Sequence, residues 1–85
     1  MNTIVWSKEN CPHCQQAMSL LDSRNIEYEV RKIDGVNWTR EQLLEEVPTA
    51  RSVPQIFMYG ELVGGYTELQ AYIENTNSGS TEGKL

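Results

Sequence analysis

Residues 9–18 read ENCPHCQQAM and contain both cysteines of the chain and its only histidine. Before them stands a short β-rich apolar segment, TIVWS, which predicts a buried strand. After Pro12, apolar side chains recur at the spacing of one helix face, at Cys14, Ala17, Met18 and Leu21. Pro12 suits the first position of that helix, where its missing N–H costs nothing. The stretch therefore predicts a strand, a short loop and a helix with Cys11 at the N-cap.

This placement gives the two cysteines different chemistry. At the N-cap, the sulfur of Cys11 faces the unpaired N–H groups of the first turn and the positive end of the helix dipole. Both favour the thiolate, which is the reactive form of cysteine. Cys14 lies one turn further along the apolar face and is expected to be more sheltered. The asymmetry predicts a redox pair in which Cys11 attacks a substrate disulfide and Cys14 resolves the mixed disulfide.

The residues between the cysteines are candidates for tuning that pair. Pro12 fixes the start of the helix. His13 is either an exposed helix residue without a role or an imidazolium that further stabilises the Cys11 thiolate. A closed zinc site needs four ligands, whereas the chain offers two cysteines and one histidine, so no metal site is expected. A cluster shared between two chains and a pair of inert buried thiols remain alternatives at this point.

Length and charge restrict the class of protein. The 85 residues suffice for one small domain, 39% of them hydrophobic and 22% charged. The net charge of −5 is spread without long like-charge runs, which argues against partners such as nucleic acid or an anionic membrane. No apolar run approaches transmembrane length, and the first residues lack the pattern of a secretory signal. A cytoplasmic location is therefore expected, where structural disulfides are rare.

The remaining strands are predicted from alternation and turn residues. The segment IEYEVRKID alternates as a half-buried strand does, with Tyr28 and Val30 on the buried side. The dipeptide Gly60-Glu61 is flanked by QIFMY and LVG, which predicts a hairpin turning at that dipeptide.

Two further helices are predicted from capping boxes. Thr39 and Gln42 form one such pattern, and the helix that they begin should end before Pro48. Thr67 and Gln70 form the other, ahead of an apolar stripe. The resulting order is β-α-β-α-β-β-α, an α/β fold with a four-stranded mixed sheet flanked by helices. Residues 1–75 are predicted to form the domain, and residues 76–85 a disordered tail without apolar periodicity.

Three motifs, SKENCPHC, ARSVPQIF and VGGYTEL, occur in an order and at spacings that resemble those of glutaredoxins. The resemblance extends to about Asn75. It implies a thioredoxin-like fold and glutathione-dependent thiol–disulfide exchange by a monomer, with glutathione as co-substrate and no tightly bound cofactor. Disulfide-containing or glutathionylated proteins are the implied partners, and ribonucleotide reductase is one candidate among them.

The resemblance also implies a glutathione site. It assigns a cis peptide bond to Val53-Pro54, with the main chain of Val53 paired to the cysteinyl part of glutathione as a short added strand. Gly65, Thr67 and Glu68 would hold the γ-glutamyl end, because helix-start N–H groups bind a carboxylate and an acidic side chain binds an ammonium. Without the resemblance, the favoured explanation is a turn at Gly64 and Gly65, with Thr67 and Glu68 as capping residues.

Cations are implied at the other end of glutathione. Lys8 and Arg40 match the positions that contact the glycyl carboxylate, although Lys8 alone would pass for a solvated surface residue. Arg51 is expected near the same groove without an assigned contact. Two departures from the family pattern stand out: many glutaredoxins have Tyr where this chain has His13, and Asp where it has Glu68.

Three other functions remain open from the sequence. The first is a small redoxin reduced by thioredoxin reductase, although such proteins lack the GGYTEL end. The second is a carrier of an iron–sulfur cluster that glutathione ligates between two chains. The third is an interaction module of thioredoxin fold in which the cysteines have no redox role.

Overall fold

The computed structural model describes the backbone of residues 2–81 and the side chains of residues 2–75. Its seven elements follow the predicted order. They are β1 (Ile4–Ser7), α1 (Pro12–Ser23), β2 (Glu29–Lys32), α2 (Arg40–Glu46), β3 (Gln55–Met58), β4 (Glu61–Gly64) and α3 (Tyr66–Thr81). No helix in this described part of the chain is long and apolar enough to span a membrane.

The strands form one mixed sheet in the order β2-β1-β3-β4. β1 and β2 are parallel, while β1–β3 and β3–β4 are antiparallel. Helices α1 and α3 pack together against one face, and their buried core consists of Val5, Ala17, Leu21, Ile56, Met58, Leu69 and Ile73. The other face carries a smaller buried cluster of Trp6, Leu43 and Val47. The predicted thioredoxin-like α/β arrangement is confirmed.

The first two helices begin where the sequence predicts, and the second also ends there. Cys11 is the N-cap of α1, with Pro12 as the first helical residue. At α2 the capping box is complete, because the N–H of Gln42 donates to Oγ1 of Thr39 at 3.2 Å and the N–H of Thr39 donates to Oε1 of Gln42 at 2.8 Å. The helix ends at Glu46, before Pro48.

The start of α3 differs from the prediction. The N–H of Leu69 donates to the carbonyl oxygen of Gly65 at 2.9 Å, which places Gly65 at the N-cap. Glu68 is then the third helical residue, and its Oε1 accepts from the N–H of Gly65 at 3.0 Å. The assignment of Thr67 as N-cap, with Gln70 as its partner, is therefore wrong. The helix begins earlier because Glu68 supplies the reciprocal bond of a capping box.

The burial of β2, though not its alternation, differs from the prediction. Val30 lies on the same side of the sheet as the core residue Val5, yet it is 43% exposed, and β2 is an edge strand. On the opposite side, the guanidinium carbon of Arg31 lies 4.4 Å from the ring centroid of Trp38 and 5.2 Å from that of Trp6. Arg31 therefore packs its length on aromatic surface, as long cationic side chains do at the margin of a core.

The hairpin between β3 and β4 turns one residue earlier than predicted. Tyr59 and Gly60 both have positive φ angles, 55° and 84°. Two such residues in succession are the signature of a type I′ turn, which matches the twist of the strands that it joins. Glu61 is consequently the first residue of β4 and not part of the turn.

The last helix passes the predicted domain boundary. The sequence predicts a domain that ends at residue 75, whereas α3 continues to Thr81. Extending an existing helix by one residue costs far less than starting one, so short polar residues can follow a packed amphipathic segment. The remainder of the predicted tail, residues 82–85, lies outside the described residues.

Candidate active site

The two cysteines lie at the start of α1 and are joined by a disulfide bond. The sulfur of Cys11 accepts from the N–H of Cys14 at 3.2 Å, as a capping side chain does. Cys11 retains 6% of its surface exposed, while Cys14 retains none. Cys11 is thus the sulfur that an incoming thiol or disulfide reaches first. The predicted N-cap position and the predicted difference in shelter are both present.

The loop before β3 lies against Cys11. The Val53–Pro54 peptide bond is cis, as the resemblance implies. The Sγ of Cys11 lies 3.8 Å from the carbonyl oxygen of Val53, which brings the main chain of this loop beside the reactive sulfur. The side-chain amide of Gln55 donates to the carbonyl oxygen of Ser52 at 2.9 Å and spans the two residues between them.

A cavity of about 460 Å³ extends from this loop to the start of α3. Gly65, Thr67 and Glu68 line it, together with Val53 and Pro54. The first N–H groups of α3 have no partner within the helix and are therefore available to an anion. This end of the site combines helix-start donors with one carboxylate.

Close packing holds the Glu68 carboxylate at that end. Its Oε1 accepts from the N–H of Gly65, and its Cγ would lie 3.1 Å from a Cβ atom at Gly64. Gly64 has a φ of 122°, a conformation that L-residues with side chains rarely adopt. Glycine at this position therefore lets the helix start and the acidic side chain approach the groove closely.

A second cavity, of about 170 Å³, lies on the other side of the same loop. Lys8, Arg40 and Arg51 line it, and none of the lining residues in the described part of the chain is acidic. Its walls also include apolar side chains from the second core cluster and from α2: Ile33, Leu43, Leu44, Ala50 and Val53. Positive charge thus collects at one place on a chain whose net charge is −5.

The two cavities share Ser52 and Val53 in their linings, and together they are called the groove below. Cys11 lies beside it, since its Sγ is 3.8 Å from the carbonyl oxygen of Val53. All seven residues that the resemblance assigns to glutathione line one cavity or the other: Lys8, Arg40, Val53, Pro54, Gly65, Thr67 and Glu68. They come from four separate parts of the chain. The fold therefore brings the predicted binding residues together beside the cysteine pair.

His13 and Tyr66 form a further wall of the larger cavity. Their rings are nearly parallel, at an interplanar angle of 15° with centroids 6.2 Å apart. His13 is exposed but in contact with another residue of the site, so it is not an isolated helix residue. The sequence analysis missed Tyr66, because a helix start at Thr67 would have left it in a loop.

The described residues do not form a cluster of potential metal ligands. Among the described residues, no group of three or more His, Cys, Asp or Glu side chains is placed to hold a metal ion. Within the same residues, the chemistry of the site rests on the cysteine pair, the two helix starts and the charged ends of the groove.

Comparison with known proteins gives a consistent result. The sequence model of the Glutaredoxin family matches residues 3–63. The chain is 34% identical over 70 residues to glutaredoxin 3 of Escherichia coli K12, which covers 82% of this chain and 83% of that protein. It is 33% identical over 67 residues to a probable glutaredoxin of Synechocystis, covering 79% and 76%.

Solved structures support the same fold. Glutaredoxin 1 of Francisella tularensis, solved with cacodylate, matches with a TM-score of 0.75 at 26% identity, over 89% of this chain and 95% of that chain. A buckwheat glutaredoxin–glutathione complex matches with a TM-score of 0.73 at 22% identity, over 88% and 70%. At that lower identity the likeness shows the fold alone.

The mixed four-stranded sheet with a cysteine pair at a helix start defines the class of thioredoxin-fold thiol–disulfide oxidoreductases. Within that class, the chain belongs to the glutaredoxin family.

Proposed function

We propose that this protein is a glutathione-dependent oxidoreductase that reduces protein disulfides and glutathione mixed disulfides. The observation that carries the proposal is the groove beside Cys11, which has cations at one end and a helix start with a carboxylate at the other. Glutathione has a carboxylate at its glycyl end and both a carboxylate and an ammonium at its γ-glutamyl end. The charges of the groove match that pattern in sign and order.

The proposed pose places each part of glutathione against one part of the groove. The cysteinyl unit pairs with the main chain of Val53, next to the sulfur of Cys11. The glycyl carboxylate meets Lys8 and Arg40 in the smaller cavity. The γ-glutamyl carboxylate meets the N–H groups at the start of α3, and the ammonium meets Glu68.

Reduction of a glutathionylated protein needs one cysteine. The Cys11 thiolate attacks the glutathione sulfur of the mixed disulfide, which forms a Cys11–glutathione disulfide and releases the protein thiolate to take up a proton. A second glutathione thiolate then attacks that disulfide and releases oxidised glutathione and the Cys11 thiolate. The first turn of α1 stabilises Cys11 as thiolate at the start and end of this cycle.

Reduction of a protein disulfide uses both cysteines. Cys11 attacks one sulfur of the substrate, and Cys14 then attacks the sulfur of Cys11, which expels the reduced protein and closes the Cys11–Cys14 disulfide. That disulfide is the form of the protein described above. Two glutathione molecules reduce it again and leave as oxidised glutathione. We propose a monomer acting in the cytoplasm, with ribonucleotide reductase as one candidate substrate.

Turnover of a glutathionylated peptide tests the proposal, with glutathione, glutathione reductase and NADPH as the only source of electrons. We expect rapid NADPH consumption that Cys11→Ser abolishes. No turnover by a protein whose cysteine pair still oxidises and reduces would refute glutathione dependence. Reduction of the same cysteine pair by thioredoxin reductase would then identify the protein as a small redoxin that depends on that reductase.

A further inference from the structure

The smaller cavity of the groove carries more positive charge than the glycyl end of glutathione needs. Lys8, Arg40 and Arg51 all line it, and among the side chains of residues 2–75 none of the three forms an ion pair. The ion pairs of that part of the chain use Arg31 and Lys32 instead. A single glycyl carboxylate has two oxygens and therefore leaves part of this charge unmatched.

The same cavity has an apolar wall that glycine cannot use. Ile33, Leu44 and Ala50 line it and are only partly buried, so their apolar surface is accessible from the groove. Glycine has no side chain to cover this surface. The cavity therefore fits a longer ligand, with an apolar side chain followed by negative charge.

Chain direction identifies that ligand. In glutathione, glycine follows cysteine through an ordinary peptide bond, whereas the γ-glutamyl bond has no equivalent in a protein. A protein cysteine that pairs with Val53 in the same way would therefore send its next residues into the cavity of Lys8, Arg40 and Arg51.

We propose that this protein selects protein disulfides in which the attacked cysteine is followed by an apolar residue and then by acidic residues. The apolar side chain covers Leu44 and Ala50, and the carboxylates meet the three cations. This inference rests on the proposed function, because it takes its register from the glutathione pose. It adds a class of protein substrate to that function.

An equilibrium competition between peptide thiols for Cys11 measures this preference directly, so no kinetic model is needed. In the Cys14→Ser variant, Cys11 forms a mixed disulfide that no second cysteine of the chain resolves. A peptide thiolate then displaces a competing peptide thiolate from Cys11, so one disulfide forms as another breaks and no net oxidation occurs. Peptides that differ only after the cysteine compete directly, and glutathione is not required.

Three synthetic peptides serve as probes, with Cys-Leu-Glu-Glu, Cys-Leu-Lys-Lys and Cys-Ser-Glu-Glu as their variable parts. We expect the first to be favoured about tenfold over the second at low ionic strength, because each reversed charge is worth about threefold at an exposed site. Salt on the order of 0.5 M should remove most of that preference. We expect the Cys-Leu-Glu-Glu peptide to be favoured about fivefold over the Cys-Ser-Glu-Glu peptide, because the leucine side chain is partly buried in the cavity.

Two variants locate the effect, both in the Cys14→Ser background. Arg51→Gln should reduce the preference for the acidic peptide over the lysine peptide about threefold. Arg24→Gln is the matched control, since it removes the same charge from the distant C-terminal end of α1. A similar loss in both variants, or no preference in the parent protein, would overturn the proposal.

The outcomes separate this proposal from the function on which it rests. Peptide preference is measured by competition, and glutathione dependence by turnover of a glutathionylated peptide. Normal turnover with no peptide preference would overturn the substrate selection alone. Absent turnover with a preference that Arg51→Gln reduces would overturn glutathione dependence and support this cavity as a docking surface for protein substrates.

Discussion

Glu68 offers the sharpest test of the groove, because one carboxylate is expected to act in both stability and binding. Its Oε1 accepts from the N–H of Gly65 at the start of α3, and its side chain lines the larger cavity. Glu68→Gln keeps an acceptor for that N–H and removes the negative charge. Glu68→Ala removes both. Comparison of the two variants therefore separates the charge from the helix cap.

The expected changes in stability follow from the position of Glu68 in the first turn. Loss of a negative charge there costs about 0.5 kcal/mol through the helix dipole, so Glu68→Gln should lower Tm by about 3 °C. Glu68→Ala also loses the hydrogen bond to Gly65, worth about 1 kcal/mol more, and should lower Tm by about 8 °C in total. Glu74→Gln removes a charge from an exposed position further along the same helix and serves as control.

The expected change in binding is the same for both variants. An exposed carboxylate–ammonium pair contributes up to about 1 kcal/mol, so kcat/KM for a glutathionylated peptide should fall about fivefold in Glu68→Gln and in Glu68→Ala. A second substrate carries glutaryl-cysteinylglycine, which is glutathione without its α-ammonium. The wild-type protein should use it about fivefold less well, and Glu68→Gln should reduce its turnover no further.

The pattern of results decides between explanations. Equal losses with both substrates would mean that Glu68 shapes the groove and does not contact the ammonium. No loss with either substrate, beyond that of Glu74→Gln, would place the γ-glutamyl end elsewhere and refute the reasoning.

Three further predictions concern other parts of the molecule. Cys14→Ser should retain reduction of a glutathionylated peptide and lose reduction of a protein disulfide such as insulin, and equal loss of both activities would contradict the separate roles of the cysteines. Thr39→Ala should lower the free energy of unfolding by about 1 kcal/mol in urea, because it removes the cap of α2; an unchanged urea midpoint would show that the cap contributes nothing. The N–H groups of Val36 and Asn37 and the side-chain amide of Asn37 donate to Asp34 and lower the pKa of its carboxyl from 3.8 to about 2. The carboxylate therefore stabilises the fold fully above pH about 4, and this contribution disappears as pH falls through about 2. Urea titrations should give Asp34→Asn a lower free energy of unfolding than wild type near neutral pH, and the difference should narrow below pH 4. A difference that stays constant with pH would argue against a stabilising role of the Asp34 carboxylate.

The parts of the fold that the sequence predicts are those that depend on neighbouring residues. Cys11 and Thr39 mark helix starts through bonds that reach only three or four residues along the chain, and Pro12 does so through its fixed φ angle. The exposed fraction of the Val30 side chain, in contrast, depends on whether a helix covers the edge of the sheet. Arg31 is half-buried because two tryptophans from other segments form a surface beneath it. Alternation within β2 carries neither piece of information.

The site divides in the same way. The N-cap position of Cys11 and its thiolate chemistry follow from the local pattern, but the convergence of Lys8, Arg40 and Glu68 on one groove does not. Only the resemblance to a family predicted that convergence, because these residues come from three distant parts of the chain. The contact between His13 and Tyr66 escaped prediction for a related reason, since it joins the starts of two helices.

Glu68 shows why a local and a functional explanation of one residue can both hold. From the sequence, capping and ligand binding are alternatives for the acidic residue after GGYT. In the structure, capping uses Oε1 alone, and Oε2 has no hydrogen-bond partner among the side chains and backbone of residues 2–75. The bond to Gly65 fixes the carboxylate at the rim of the groove and removes the entropy that a mobile side chain would lose on binding. Capping is therefore the means by which the remaining oxygen is presented to a ligand.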